Sequence, residues 1–383
     1  MQTRSRLEYL DSLRGLAILS VISVHSIFCA DTINSAIGGN NSKNVTGFFH
    51  LGQYGVNLFF VISGILMITL YPGRDVKFKL FWKRRLLRIM PLWMLFVVIN
   101  LLRNNIKNWM GVQLYDQHPG VGIIPYWMII FIGSATFLLW MSPLLWNSVV
   151  PGGWSIQSEI MHYAAFITTR KFNLITISTL LLIHNLVIFI LYSGSKYIYT
   201  NNDPGFSNSA GLFGDLQSAY LRLGFYSTFF YFYIGMLIVE INKKTPKNVV
   251  NFFNSSNKIL MLLFTLNLLI VLNLPLPFGK NLSATIYIIF FMLINSILMK
   301  KYWVNHCLKI IGKYSYCIYF IHFLILGFLQ NTMIKIPWLS AFYFSQFFLF
   351  IVVFLLTLVI SLILAIPSMK YFERYFIEKG AKN

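Results

Sequence analysis

Leu13-Arg14-Gly15-Leu16-Ala17-Ile18-Leu19-Ser20-Val21-Ile22-Ser23-Val24-His25-Ser26-Ile27-Phe28-Cys29-Ala30 is an apolar stretch with an arginine at its mouth and a histidine about two-thirds of the way along. As a helix it is long enough to cross most of a ~30 Å hydrocarbon core. Arg14 and His25 stand eleven positions apart. At about 100° per residue that separation ends about 20° past three full turns, so both side chains lie on one helix face, roughly 16 Å apart. A base deep in a membrane and a cation at its surface share one stripe.

The rest of the chain repeats the apolar pattern. Of its 383 residues 57% are hydrophobic and 11% charged, with a mean hydropathy of +0.67. No soluble domain hides that much apolar surface. Candidate spans fall at 13–31, 54–71, 86–103, 124–141, 153–168, 172–192, 221–240, 258–275, 282–299, 314–332 and 342–367. They predict an all-α polytopic membrane helix bundle, one domain over 1–383 with no soluble C-terminal domain.

Charge sets the expected orientation. Arg74, Lys77, Lys79, Lys83, Arg84 and Arg85 cluster in one connection, Lys243, Lys244 and Lys247 in another, and Lys300, Lys301, Lys309 and Lys313 in a third. With the tail residues Lys370, Arg374, Lys379 and Lys382 they mark the cytoplasmic side. Segments 32–53, 104–123, 193–220, 276–281 and 333–341 carry few cations and face outward. Two cytoplasmic termini require an even number of crossings, so about ten helices span and one stretch enters part-way. The misfit lies within 124–192, either at 124–141, which contains Gly133 and ends before Pro143, or at 153–168, which follows Pro151-Gly152. Non-helical backbone at that depth is tolerated only inside protein or beside water.

The net charge of +20 invites a nucleic-acid reading. Here, however, the cations cap apolar helices on one side, where topology and anionic headgroups account for them, and no nucleic-acid partner is expected. The basic start and apolar run imitate a signal peptide, but Arg14 interrupts the run and no small-x-small site precedes Asp31, so no cleavage is expected. Cys29, Cys307 and Cys317 have no metal-like spacing and are odd in number, which makes them packing residues and leaves no metal site.

An ionised side chain at mid-bilayer costs about 3 kcal/mol on insertion scales, so polar residues within spans are the candidates for chemistry. They are Arg14, His25, Asn57, Glu159, His162, His184, Glu240 and His322. His25, in phase with Arg14 and with Asp11 one turn before it, reads as a base suited to taking a proton from a hydroxyl; the bland alternative is a packing histidine. Arg85 and Arg88 are one helical turn apart before Pro91 and suit a phosphate group, or they are anchors of the positive-inside kind. Glu159 orients a protonated histidine or a sugar hydroxyl, or else pairs with His162 one turn on. Tyr316, Tyr319 and His322 form a stripe that packs the bundle or supports a site. Asn57 needs a polar partner, while Ser63 and Gly64 allow close helix approach. Glu240 reads as a surface ion pairer beside Lys243 and Lys244, and His184 as packing.

Five stretches then resemble the acyltransferase-3 membrane family in order and spacing: Leu10 to Ala17 with His25, Phe59 to Gly64, Arg85 to Pro91, Trp154 to Glu159, and Ser315-Tyr316 to His322. The resemblance implies transfer of an acyl group, usually acetyl, from acetyl-CoA in the cytoplasm across a bacterial inner membrane to a carbohydrate or glycolipid hydroxyl. It implies His25 as the catalytic histidine with Glu159 as its acidic companion, Arg14, Arg85 and Arg88 as donor-binding cations, and Asn57, Ser155, Tyr316 and His322 in support. Ser12 stands where the family usually has Gly, Asn57 where Asp is common, and His162 where an apolar or aromatic residue is usual. With no soluble domain in the chain, a stand-alone enzyme acting on a lipid-linked or surface polysaccharide such as O-antigen is expected. Direct transfer and a covalent acyl-histidine relay both remain open. The alternative class is a transporter using His25 and Glu159 as a proton relay, for which the sequence lacks the internal symmetry such proteins often show.

Overall fold

A computed structural model describes residues 2–36, 49–71, 77–109, 126–141, 150–169, 175–183, 186–187, 225–244, 288, 292, 302–335 and 346–381. Every regular element among them is helical. The longer helices are α1 (Gln2–Ala36), α2 (Gly55–Leu70), α3 (Phe78–Trp109), α4 (Tyr126–Ala135), α5 (Gly153–Thr169), α6 (Phe225–Lys244), α7 (Tyr302–Lys313), α8 (Ser315–Met333), α9 (Gln346–Pro367) and α10 (Arg374–Ala381). Among the described residues five stretches are long and apolar enough to cross a membrane: Glu8–Ala36, Gly52–Leu70, Phe78–Arg103, Ser315–Met333 and Gln346–Ala381. The protein is a multi-pass helical membrane bundle. The expected span 258–275 lies outside the described residues, as does all of 282–299 except Ile288 and Met292.

Helices extend beyond what hydropathy predicts in several places. Helix α1 begins at Gln2 and α3 at Phe78, each well before its apolar run. Arg, Lys, Leu and Glu continue a helix readily, and apolar windows do not register polar flanks. Beyond Pro367 a π-helical turn, Ser368–Glu373, carries α9 into α10 without a break. A further helix, α7, falls in what the charges mark as a connection. Val304, Leu308 and Ile311 follow a helical spacing there.

The chain divides into two compact units. In the first, Met1–Ile62 with Leu282–Glu378, α1 packs against α7, α8, α9 and a 3-10 turn at Phe49–Tyr54. Leu13, Ala17, Ile18, Ile22, Ile27 and Ala30 are fully buried, so this helix is covered on nearly all sides. The α1–α7 contact is backbone on backbone. A Cβ on Gly312 would overlap the carbonyl oxygen of Asp11, and one on Gly15 would overlap that of Leu308. Lys309 Nζ meets Glu8 at 3.3 Å near this end. Toward the other end of α1, Gln346 Nε2 donates to Asp31, and Cys29 Sγ lies 3.7 Å from the Leu326 carbonyl.

The second unit runs over Ser63–Asn281 with Lys379–Asn383. Here α3 packs on α4 and α5 on α6. Gly64 sits against the Phe232 carbonyl, with no room for a Cβ. The described part of helix α4 runs ten residues, about 15 Å. It ends in a Schellman turn: Leu138 N donates to Gly133 O at 2.9 Å and Phe137 N to Ser134 O at 3.3 Å. Phe137 holds the left-handed conformation that glycine usually takes there, with φ 56°. Its ring stacks on Trp93 at 6.3 Å, while Trp93 Nε1 donates to Ser134 O at 3.0 Å. Packing thus holds a strained residue where α4 ends, within the stretch 124–141.

Candidate functional site

The candidate residues fall into two clusters, one in each unit. In the first unit α1 brings His25 against α8. Its ring lies 4.6 Å from that of Phe323, 5.5 Å from that of His322 and 6.5 Å from that of Phe28. His322 is fully buried, with Tyr319 at 5.7 Å and Phe323 at 4.0 Å around it. Its Nδ1 lies 3.1 Å from the Ile318 carbonyl oxygen. A carbonyl can only accept, so Nδ1 carries the hydrogen, and in the neutral ring Nε2 is a bare acceptor. That Nε2 has no hydrogen-bond partner among the described residues.

Arg14, on the same helix as His25, donates from Nη1 to Asp11 Oδ1 at 3.0 Å. Asp11 is one turn before it, so the guanidinium is held at the mouth of the stripe. Asn57, at the start of α2, is half-buried. Tyr316 meets Phe320 edge-on at 5.2 Å, one turn along α8.

In the second unit Arg85 is 7% exposed. Its guanidinium carbon lies 5.2 Å from the Tyr163 ring centroid, 5.7 Å from that of Tyr71 and 5.9 Å from that of Phe81. Three aromatic faces therefore surround one cation. Its Nε has no hydrogen-bond partner, and no carboxylate stands within ion-pair reach of it, among the described residues. Arg88 is exposed. Three residues of helix rotate the side chain by about 300°, enough to put Arg85 on the packed flank of α3 and Arg88 outside it.

Glu159 Oε1 accepts the Tyr163 hydroxyl, one turn on along α5, and Ser63 Oγ at 3.3 Å from α2. The pairing with His162 that the sequence permits is not the one formed. His162 is buried and turns to α6, where Nε2 meets Thr228 Oγ1 at 3.2 Å and the ring stacks on Phe232 at 5.2 Å. Ser155 Oγ donates to the Gly152 carbonyl at 2.9 Å, which closes the turn that starts α5. His184 and the side chain of Glu240 lie outside the described residues.

Two participants escaped the sequence reading. Tyr163 joins the Glu159 carboxylate to the Arg85 guanidinium, and its signal was the i, i+4 spacing from Glu159. Phe323, against both histidine rings, carried none, being one more phenylalanine among 36. Against known proteins, residues 7–366 match the family model described as an acyltransferase domain. No curated protein and no solved structure matches the chain.

Proposed function

The chain belongs to the acyltransferase family whose model covers residues 7–366, and from that premise we propose that it is an O-acetyltransferase using acetyl-CoA to acylate a hydroxyl of a lipid-linked or surface polysaccharide sugar. The observation that carries this reading is Arg85, a buried guanidinium without a carboxylate in ion-pair reach among the described residues. A cation kept out of water and left without an acidic partner suits an anionic ligand, and coenzyme A brings phosphates to bind. Arg88, exposed one turn away, and Arg14 add positive charge for the same donor. The bilayer in this reading is the bacterial inner membrane, with both termini cytoplasmic, as the lysine and arginine distribution supports.

His25 is the base. Its bare nitrogen takes the proton of the sugar hydroxyl as the oxygen attacks the thioester carbon. The carbon–sulfur bond then breaks, and the proton passes to the departing thiolate, leaving acetyl on the sugar and free coenzyme A. Glu159, fixed by Tyr163 and Ser63, and the half-buried Asn57 supply polar contacts for the acceptor.

The test is release of free coenzyme A from acetyl-CoA by the purified protein in nanodiscs, with an acceptor glycolipid supplied. Wild type should turn over, and His25→Ala should lose on the order of 10²–10⁴-fold in rate, as removal of a general base does. A wild type that neither binds nor consumes acetyl-CoA sinks the proposal.

A further inference from the structure

We propose that His322 is the positioning residue for His25, its buried Nε2 accepting the one N–H of the neutral His25 ring so that the opposite nitrogen is left bare and aimed at the acceptor hydroxyl. The inference rests on the reading of His25 as the base. It starts from the orphaned atom: His322 is fully buried, its Nδ1–H is committed to the Ile318 carbonyl at 3.1 Å, and its Nε2 lacks a donor among the described residues. Of the rings around it, that of His25 comes from another helix and carries a polar hydrogen. A centroid separation of 5.5 Å admits one N–H···N contact when the facing nitrogens lie on the line between the rings, an orientation His25 reaches by rotating about its side-chain bonds. Phe323 lies against both rings, 4.6 Å from His25 and 4.0 Å from His322.

The chemistry gives this contact a kinetic signature. Formed before the reaction, it is an ordinary neutral hydrogen bond that sets the tautomer of His25. When His25 takes the hydroxyl proton it becomes an imidazolium, and the same N–H turns into a charge-assisted donor, roughly twice as strong. An interaction that strengthens only as the reaction proceeds acts on kcat and leaves donor binding alone. The tautomer logic is that of a carboxylate behind a catalytic histidine, with a neutral acceptor in its place.

Two near-isosteric variants of the full-length protein in nanodiscs separate acceptor from packing. His322→Gln puts an amide oxygen where Nε2 stood. His322→Asn keeps a donor for the Ile318 carbonyl and removes the distal acceptor. We expect His322→Asn to lower kcat by about 10- to 100-fold with the KM for acetyl-CoA within about twofold, and His322→Gln to keep most of kcat. In ¹⁵N-histidine-labelled protein, with the His25 signal assigned by its loss in His25→Ala, wild type and His322→Gln should show one His25 tautomer and His322→Asn a mixture. Equal activity in both variants, or a His25 tautomer unchanged in His322→Asn, overturns the proposal. The nitrogen shifts need no turnover, so a wild type inactive on acetyl-CoA would defeat the acyl-transfer reading while the tautomer still decides this one.

Discussion

Replacing Arg85 by methionine separates what this residue does for the fold from what it does for a ligand. The side chains are similar in length, and methionine packs well against aromatic rings. In the fold the substitution removes cation–π contacts with Tyr163, Tyr71 and Phe81, each about 0.5–2 kcal/mol. It also removes the need to hold a charge out of water, which costs several kcal/mol per ion even after relaxation. No carboxylate among the described residues is left uncompensated, because none stands within ion-pair reach of Arg85. The two effects are comparable, so the melting temperature in detergent should stay unchanged or rise. Donor binding gives the opposite expectation. Each charge-assisted bond to a phosphate contributes about 1.5–3 kcal/mol, so losing one raises the KM for acetyl-CoA about 10- to 150-fold. The assay pairs thermal unfolding of Arg85→Met, with and without acetyl-CoA, with its steady-state KM. A variant that melts several degrees lower yet saturates at the wild-type donor concentration refutes the argument and returns Arg85 to a structural role.

The neighbouring contacts give two sharper checks. Tyr163→Phe deletes the hydroxyl that Glu159 accepts and keeps the ring beneath Arg85; it should cost about 1–2 kcal/mol of stability, seen in the melting curve, and leave the donor KM within a fewfold of wild type. Gly312→Ala drives a methyl group into the Asp11 carbonyl, where neither helix backbone can give way; overpacking of this kind costs about 1–3 kcal/mol, and a variant that melts at the wild-type temperature would show that α7 is not pressed against α1.

What could be read from the chain and what could not divides along a physical line. Hydropathy windows found the spans of α1, α2, α3, α8 and α9, because burial in lipid leaves a continuous signal in composition. They missed α7 because it is only 12 residues long and carries Lys309 and Lys313, so its apolar Val304, Leu308 and Ile311 never fill a spanning window. Helical phase placed Arg14 and His25 on one face and put Glu159 one turn before its partner. Phase cannot choose between positions three and four residues away, and Glu159 bonds to Tyr163 while His162 turns to Thr228 on another helix. The same limit applies to Arg85 and Arg88. One turn apart in the chain, they differ in environment because Tyr71, Phe81 and Tyr163 close over only one of them.

A membrane bundle must satisfy polar side chains without bulk water, and a set of described residues does so locally. Ser20, Thr69, Asn100, Thr136, Thr168, Thr169, Thr179 and Thr332 all donate to the carbonyl four residues back on their own helix. Ser26, Thr357 and Ser361 lack a partner among the described residues, yet a hydroxyl needs only a rotamer change to reach the same kind of carbonyl. The Nε2 of His322 and the Nε of Arg85 have no such escape. The first is an acceptor, which a helix carbonyl cannot serve, and the second belongs to a charge that a single carbonyl does not neutralise. Residues whose polar atoms the helix itself can satisfy say little about function. Asn100 Oδ1, Asn305 Oδ1 and Arg103 Nε also lack a partner among the described residues, but His322 and Arg85 alone of this group were also singled out by phase and composition.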